Sequence, residues 1–167
     1  QKWPCKLITS RIGGKKLDAS GISHIAFCVR DLDKSLGFYR DILGMQVVFD
    51  QVQDTTTGGL PHVYQHSRKT RRTVHLQFAG SSTNPKLVVT SHPNEDPDGD
   101  PIKLDQIGIS HYSFSVPDTK ALMSELVGKG IPLAAAPDVW TGSDGNVSSF
   151  YVYDPDGILV QFDGGSA

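Results

Sequence analysis

The sequence predicts an α+β fold made of two tandem βαβββ modules, and three observations predict it. The tetrapeptide GISH occurs at 21–24 and again at 108–111. Around it, GISHIAFCVRD (21–31) and GISHYSFSVPD (108–118) agree at seven of eleven positions at one offset of 87 residues. A duplicated structural unit explains that agreement and chance does not. In both copies, finally, a short β-branched and apolar run gives way to apolar spacing of helical period, as a strand followed by a helix does.

Taken in order, residues 1–20 carry Lys2, Lys6, Arg11, Lys15 and Lys16 and form an arm ahead of the main fold. ISHIAFCV (22–29) is the first strand. In DLDKSLGFYRDILG, Leu32, Leu36, Tyr39 and Leu43 recur at i, i+4, i+7 and i+11, Asp31 is placed to cap the helix and Gly44 to end it. MQVVFDQV (45–52), RRTVHLQFA (71–79) and KLVVTS (86–91) read as three further strands, closing a first module at 21–91. The Pro-, Asp- and Gly-rich segment 92–106 has no periodicity and reads as a linker. The plan then restarts over 107–167: a strand at 109–116, a helix capped by Asp118 with Leu122 and Leu126, and strands near 147–153 and 158–162. The last two are joined by Asp154-Pro155-Asp156-Gly157, where Pro presets φ and Gly accepts a positive φ.

Alternation assigns the faces of the first strand of each copy. If His24 looks into a cavity, so do Ile22, Ala26 and Cys28, while Ile25, Phe27 and Val29 meet the helix. The second copy puts Ile109, His111, Ser113 and Ser115 on the cavity side and Tyr112, Phe114 and Val116 against its helix. The helix side is bulky and apolar in both, and the other side carries a histidine among small residues.

The bulk properties exclude several function classes. Formal net charge is −2 and the chain is 20% charged, which supplies no basic field for nucleic acid or an anionic membrane. No apolar run is long enough for a membrane helix and no signal-peptide core opens the chain. The two cysteines, Cys5 and Cys28, form no paired motif, which points to a reduced, cytoplasmic protein with a small-molecule partner. Asp96, Asp98 and Asp100 have the spacing of a calcium loop, but Pro101 stands where such a loop needs Gly and Ile107 where it needs Glu, so a solvated linker is the better reading.

The runs SHIAFCVRDLDKSLGFYRDILGM and YVYDPDGILVQF resemble the first strand plus helix and the final hairpin of the vicinal oxygen chelate superfamily, over roughly residues 21–163. That superfamily includes glyoxalase I, the fosfomycin and bleomycin resistance proteins and the extradiol dioxygenases. The resemblance implies an open, eight-stranded curved sheet around a metal cleft, with ligands from the first and last strands of each module. Carried over, it places metal ligands at His24, His111 and Gln161. Gln161 stands where DPDGNxIEL has Glu, and an amide oxygen can coordinate a divalent ion. Laying Leu87-Val88-Val89-Thr90 on Leu159-Val160-Gln161-Phe162 puts Val89, which binds nothing, at the fourth position.

The resemblance thus implies one divalent ion (Fe, Mn, Ni or Zn) and a small oxygenated substrate that chelates it, with lyase or isomerase chemistry by Lewis-acid action as the first expectation. An Fe(II)-dependent dioxygenase is the runner-up, disfavoured because an amide replaces the usual carboxylate. A metal-free protein that binds a drug or other small molecule, like the bleomycin-resistance branch, is the third. With no ligand carboxylate to serve as base, His75 and His92 are the candidate catalytic residues. Arg71, Arg72, Tyr64, Tyr151 and Trp140 are candidates to line the cleft. Relatives include closed monomers and dimers that exchange modules, so a homodimer is one expected assembly.

Overall fold

The computed structural model describes residues 20–81 and 85–165. The expected arm at 1–20 therefore lies almost wholly outside the described residues. Seven strands and two principal helices follow in the order β1 (His24–Cys28), α1 (Leu32–Leu36), β2 (Gln46–Asp54), β3 (Thr70–Gln77), β4 (Lys86–Ser91), β5 (His111–Ser115), α2 (Thr119–Gly128), β6 (Ser149–Tyr153) and β7 (Leu159–Asp163). Between β4 and β5, residues 92–110 form neither helix nor strand.

Local chemistry accounts for these boundaries. Asp31 caps α1: one carboxylate oxygen accepts from the backbone N–H groups of Asp33 and Lys34, both at 3.1 Å. The helix continues as a π-helical turn over Gly37–Ile42 and stops at Gly44, whose φ of 75° favours glycine. Asp118 caps α2 by accepting from the Ala121 N–H at 2.8 Å. In the final hairpin Gly157 takes φ 86° and donates its N–H to the Asp154 carbonyl at 3.0 Å.

Strands β1–β4 form one sheet in the order β1-β4-β3-β2, with β1 and β4 parallel. β5, β7 and β6 form a second, with β5 and β7 parallel. The second sheet repeats the plan of the first minus one strand, and the single eight-stranded sheet expected from the sequence is corrected to separate sheets of four and three. The missing strand falls between α2 and β6. There only Leu133 bridges to Val152, flanked by backbone bonds from Ala134 to Tyr151 and from Tyr153 to Pro132. Pro132 and Pro137 bracket this segment; neither has an N–H to give a ladder, so pairing stops after one bridge.

The sheets meet through side chains. Phe27 of β1 stacks on Tyr112 of β5 with centroids 5.4 Å apart and planes 19° apart, and Phe78 meets Phe114 edge-on at 5.4 Å. One buried cluster runs through both halves, from Leu36, Tyr39 and Val74 to Leu126, Phe150 and Phe162. It lies on the helix side of both sheets, and the opposite face of the first sheet lines a depression. Tyr39, fully buried, donates its hydroxyl to Asp154 Oδ2 at 2.8 Å and also contacts the Tyr112 hydroxyl. A helix of the first half is thus tied to the turn that sets β7.

Candidate functional site

The concave faces carry the residues of interest, and strand register shows how they are placed. Paired residues in a sheet share a face. His24, Ala26 and Cys28 of β1 pair with Lys86, Val88 and Thr90 of β4, and His75 and Thr73 of β3 pair with Val88 and Thr90 in turn. In the second sheet His111 and Ser113 pair with Leu159 and Gln161, and Gln161 with Tyr151. Ile25, Phe27 and Val29, and Tyr112, Phe114 and Val116, pack into or against the core on the other side.

The seam between the sheets orders these residues further. The Arg30 N–H donates to Asp156 Oδ1 at 3.0 Å, and the Arg30 guanidinium bonds the same oxygen at 3.2 Å. The C-terminal end of β1 therefore lies beside the turn that leads into β7. Since β7 is parallel to β5, β1 and β5 run in opposite directions. Phe27 stacks on Tyr112 and Ile25 shares a groove with Phe114, so β1 and β5 border the seam from either side. His24 lies two residues before Ala26 on β1, and His111 two residues before Ser113 on β5. Val88 and Gln161 stand on the next strands out, beside Ala26 and Ser113.

This register corrects the expected equivalence of Val89 with Gln161. Val89 pairs with Phe27 and is buried in the core; the residue that occupies Gln161's place is Val88. The earlier superposition slips by one residue, which in a strand moves a side chain to the opposite face. A valine occupies the fourth position under either alignment.

Both histidines are held in the same way. Ser23 Oγ lies 2.9 Å from His24 Nδ1, and Ser110 Oγ lies 3.1 Å from His111 Nδ1. When Nδ1–H donates to the serine, Nε2 keeps its lone pair and points away, the tautomer that a metal ligand requires. His111 and Gln161 are diagonal neighbours on adjacent strands, within reach of a common small ligand. Among the described residues no three His, Cys, Asp or Glu side chains come together.

A depression of about 540 Å³ lies over the first sheet. It is lined by His24, Cys28, Phe49, Gln53, Arg71, Thr73, His75, Lys86 and Thr90, among others. His75 stacks against Phe49 at 4.7 Å, and its proton affinity is lowered by burial and then by the positive fields of Lys86, His24 and Arg71. His92 does not line this depression. Its Nδ1 lies 2.9 Å from the Thr70 carbonyl and its ring meets Tyr64 edge-on, beside a separate hollow bounded by Arg30, Arg72 and Glu95. Over the second sheet Tyr151 meets His111 edge-on at 5.5 Å and Trp140 at 5.7 Å.

Arg71 and Arg72 part company as strand neighbours do. Arg72 points outward to Asp50 and Asp33, each at 2.7 Å. Arg71 points into the depression, where its guanidinium donates to Gln53 Oε1 at 2.7 Å. Arg71 is among the cleft-lining candidates expected from the sequence, whereas Lys86 is not. The signal was present in TRRTVHLQ, where Val74 and Leu76 mark the core parity and leave Arg71, Thr73 and His75 on the other.

Comparison with known proteins covers the same stretch of the chain. Residues 21–162 match the family model described as Glyoxalase/Bleomycin resistance protein/Dioxygenase superfamily. The chain is 23% identical over 147 residues to the virulence protein STM3117 of Salmonella typhimurium, covering 84% of this chain and 81% of that one. Among solved structures, a glyoxalase family protein from Bacillus cereus superposes with TM-score 0.68 at 13% identity, over 88% of this chain and 95% of that one. Glyoxalase I of Leishmania major, described as trypanothione-dependent, superposes with TM-score 0.59 at 22% identity, over 87% and 86%.

Proposed function

Because the chain belongs to the glyoxalase, bleomycin resistance protein and dioxygenase superfamily, we propose that it is a metal-dependent enzyme acting on a small oxygenated substrate at the concave seam. The observation that carries this reading is the pair of serine-backed histidines, His24 and His111, on the first strands of the two halves, with Gln161 diagonal to His111. His24, His111 and Gln161 would hold one divalent ion. A divalent ion in a neutral donor set keeps its full charge, so when bound it supplies strong Lewis acidity to vicinal substrate oxygens.

The chain's own residues supply the rest. His75 sits in the same depression as His24, and its lowered proton affinity leaves it neutral and able to accept a proton near pH 7. Lewis-acid isomerisation or elimination needs only such an acceptor and an electrophile. An oxygen-activating role is the weaker reading, because Fe(II) in that chemistry is ordinarily held with a carboxylate and here Gln161 takes its place.

Elemental analysis of protein purified without added metal tests the proposal. About one equivalent of a divalent metal is expected per site, with Gln161→Ala and His111→Ala each lowering occupancy. No metal as purified, and none taken up on reconstitution, refutes it. One observation favours a metal-free binding protein in that event: Val88 stands at the fourth donor position, and Trp140 and Tyr151 offer an aromatic wall beside His111.

A further inference from the structure

Two identical tetrapeptides meet at one arginine. Asp-Pro-Asp-Gly occurs at 96–99, in the connection between the halves, and again at 154–157, in the turn between β6 and β7. Both end on a glycine in the left-handed region, Gly99 at φ 85° and Gly157 at φ 86°. Arg30, two residues beyond β1, lies between them. One of its terminal nitrogens donates to Asp156 Oδ1 at 3.2 Å, and its backbone N–H donates to the same oxygen at 3.0 Å. The other terminal nitrogen donates to the Gly99 carbonyl at 2.7 Å and to Asp100 Oδ1 at 3.3 Å.

The two segments are themselves fixed. Asp154 Oδ1 accepts the N–H groups of Asp156 and Ile158, and the Asp156 side chain is 7% exposed. Asp98 Oδ2 lies 2.7 Å from His66 Nε2, and Glu95 pairs with Arg68 at 3.2 Å, which fastens the connection to the loop between β2 and β3. Pro101 closes over Gly157, where a β-carbon would lie 3.8 Å from Pro101 Cγ. An arginine fork held on two sides is directional, unlike a point charge. The arrangement is one-sided: at the offset of 87 residues Arg30 corresponds to Pro117, which has neither an N–H nor a side-chain donor to offer.

We propose that Arg30 is a positioning residue: gripped by both Asp-Pro-Asp-Gly segments, it fixes the angle between the two sheets and so the spacing of His24 from His111 and Gln161. Its bearing on a metal rests on the reading above; the grip itself rests on the contacts of Arg30 alone. The sheets otherwise meet through rings, Phe27 on Tyr112 and Phe78 on Phe114, and apolar contact is non-directional. The bond from Tyr39 to Asp154 holds the 154–157 turn at one point. Arg30 holds it at a second, and two points remove the rotation that one allows. His24 lies three residues from Phe27, on the side away from Arg30. At about 3.3 Å per residue, a swing of about 5° about the Phe27–Tyr112 stack moves His24 by about 1 Å, well beyond the ~0.2 Å within which a metal–ligand distance is held. Arg30 thus acts through β1 rather than on a ligand atom.

The test is a pulsed EPR distance measurement across the halves of the full chain, between nitroxides on Val52→Cys and Val127→Cys, with Cys5 and Cys28 replaced by Ser. Both label positions are exposed, Val52 on β2 and Val127 on α2. Arg30→Gln should broaden the distance distribution with far-UV circular dichroism unchanged. Arg30→Lys, which reaches one segment at a time, should fall between. Arg40→Gln, which removes the same charge from a pair with Asp41 inside the first half, should leave the distribution as it is. In unlabelled protein Ni(II) affinity should fall about tenfold in Arg30→Gln, the lower end of what loss of a contact supporting a metal ligand costs. An unchanged distribution in Arg30→Gln overturns the proposal, and so does a broadened one with unchanged Ni(II) affinity. If the wild-type protein takes up no Ni(II), the metal reading fails and the distance distributions alone decide the grip of Arg30. Should Arg30→Gln not fold, Asp156→Asn decides in the same way, since it weakens the grip from the other side and leaves every backbone donor in place.

Discussion

Replacing Tyr39 with Phe probes the joint between the two halves. Tyr39 is 0% exposed and its acceptor Asp154 is 5% exposed. Asp154 Oδ1 accepts the backbone N–H groups of Asp156 and Ile158 at 2.9 and 2.8 Å, while Oδ2 accepts the Tyr39 hydroxyl at 2.8 Å. Tyr39→Phe keeps the ring contacts with Phe38 and Phe27 and removes the hydroxyl that donates to Asp154 and also contacts the Tyr112 hydroxyl. Losing a hydrogen bond to a charged, buried acceptor costs about 1.5–3 kcal/mol. For a domain of this length that is a fall in Tm of roughly 3–10 °C. Urea unfolding followed by tryptophan fluorescence measures it, and a cost below about 0.5 kcal/mol at pH 7 would refute the claim that this bond joins the halves.

The pH dependence gives a second, independent check. Burial raises the Asp154 carboxyl above the usual carboxylate range, and the Tyr39 hydroxyl pulls it back down. The folded state thus holds this proton more tightly than the unfolded chain. Its contribution to stability falls as pH rises from the unfolded value, about 4, through the raised folded value, and is flat above that. Deleting the Tyr39 hydroxyl raises the folded value further. The penalty for Tyr39→Phe should therefore be smallest near pH 4 and full at neutral pH. A penalty that shrinks between those limits contradicts the assignment of the bond to the ionised carboxylate.

Two further substitutions test the elements that support the site. Asp31→Ala removes the side chain that caps α1 and should cost about 1 kcal/mol in urea unfolding; no loss would mean that the cap is redundant with tertiary packing. Phe162→Ala opens the core where Phe150 and Phe114 meet it at 5.2 and 5.9 Å, and should cost about 3–5 kcal/mol. A loss near 1 kcal/mol there would show that the second sheet collapses to fill the space.

Repetition made the architecture legible, because GISH, the capping aspartates and the turn at 154–157 each identify one element by local chemistry alone. The missing strand was not legible in the same way. The segment between α2 and β6 is apolar enough to pair, and only the two prolines around it limit the ladder to one bridge. His24, His111 and Gln161 are candidate ligands through the resemblance, and the face each occupies follows from alternation. Val88 was displaced by one residue because Val88 and Val89 are chemically alike, so composition cannot set register where both faces of a strand are apolar. Arg71 and Arg72 are adjacent and identical, and the core parity of Val74 and Leu76 separates them, leaving Arg71 on the face of Thr73 and His75.

That pairing also shows how the two copies of one unit have diverged. Lys86 and Leu159 occupy the same place opposite His24 and His111, as do Val88 and Gln161 opposite Ala26 and Ser113, and His75 and Tyr151 one strand further out. At each of these places one half has a residue suited to charge or coordination and the other does not, or has a different one. In the second sheet His111 and Gln161 stand diagonal to one another beside Tyr151 and Trp140. In the first, His24 stands beside Lys86 over a depression that His75 and Arg71 also line. Two copies of one unit thus present different chemistry on equivalent faces, an amide beside an aromatic wall in one and basic side chains in the other, because the strand next to the first strand carries Lys86 and Val88 in one copy and Leu159 and Gln161 in the other.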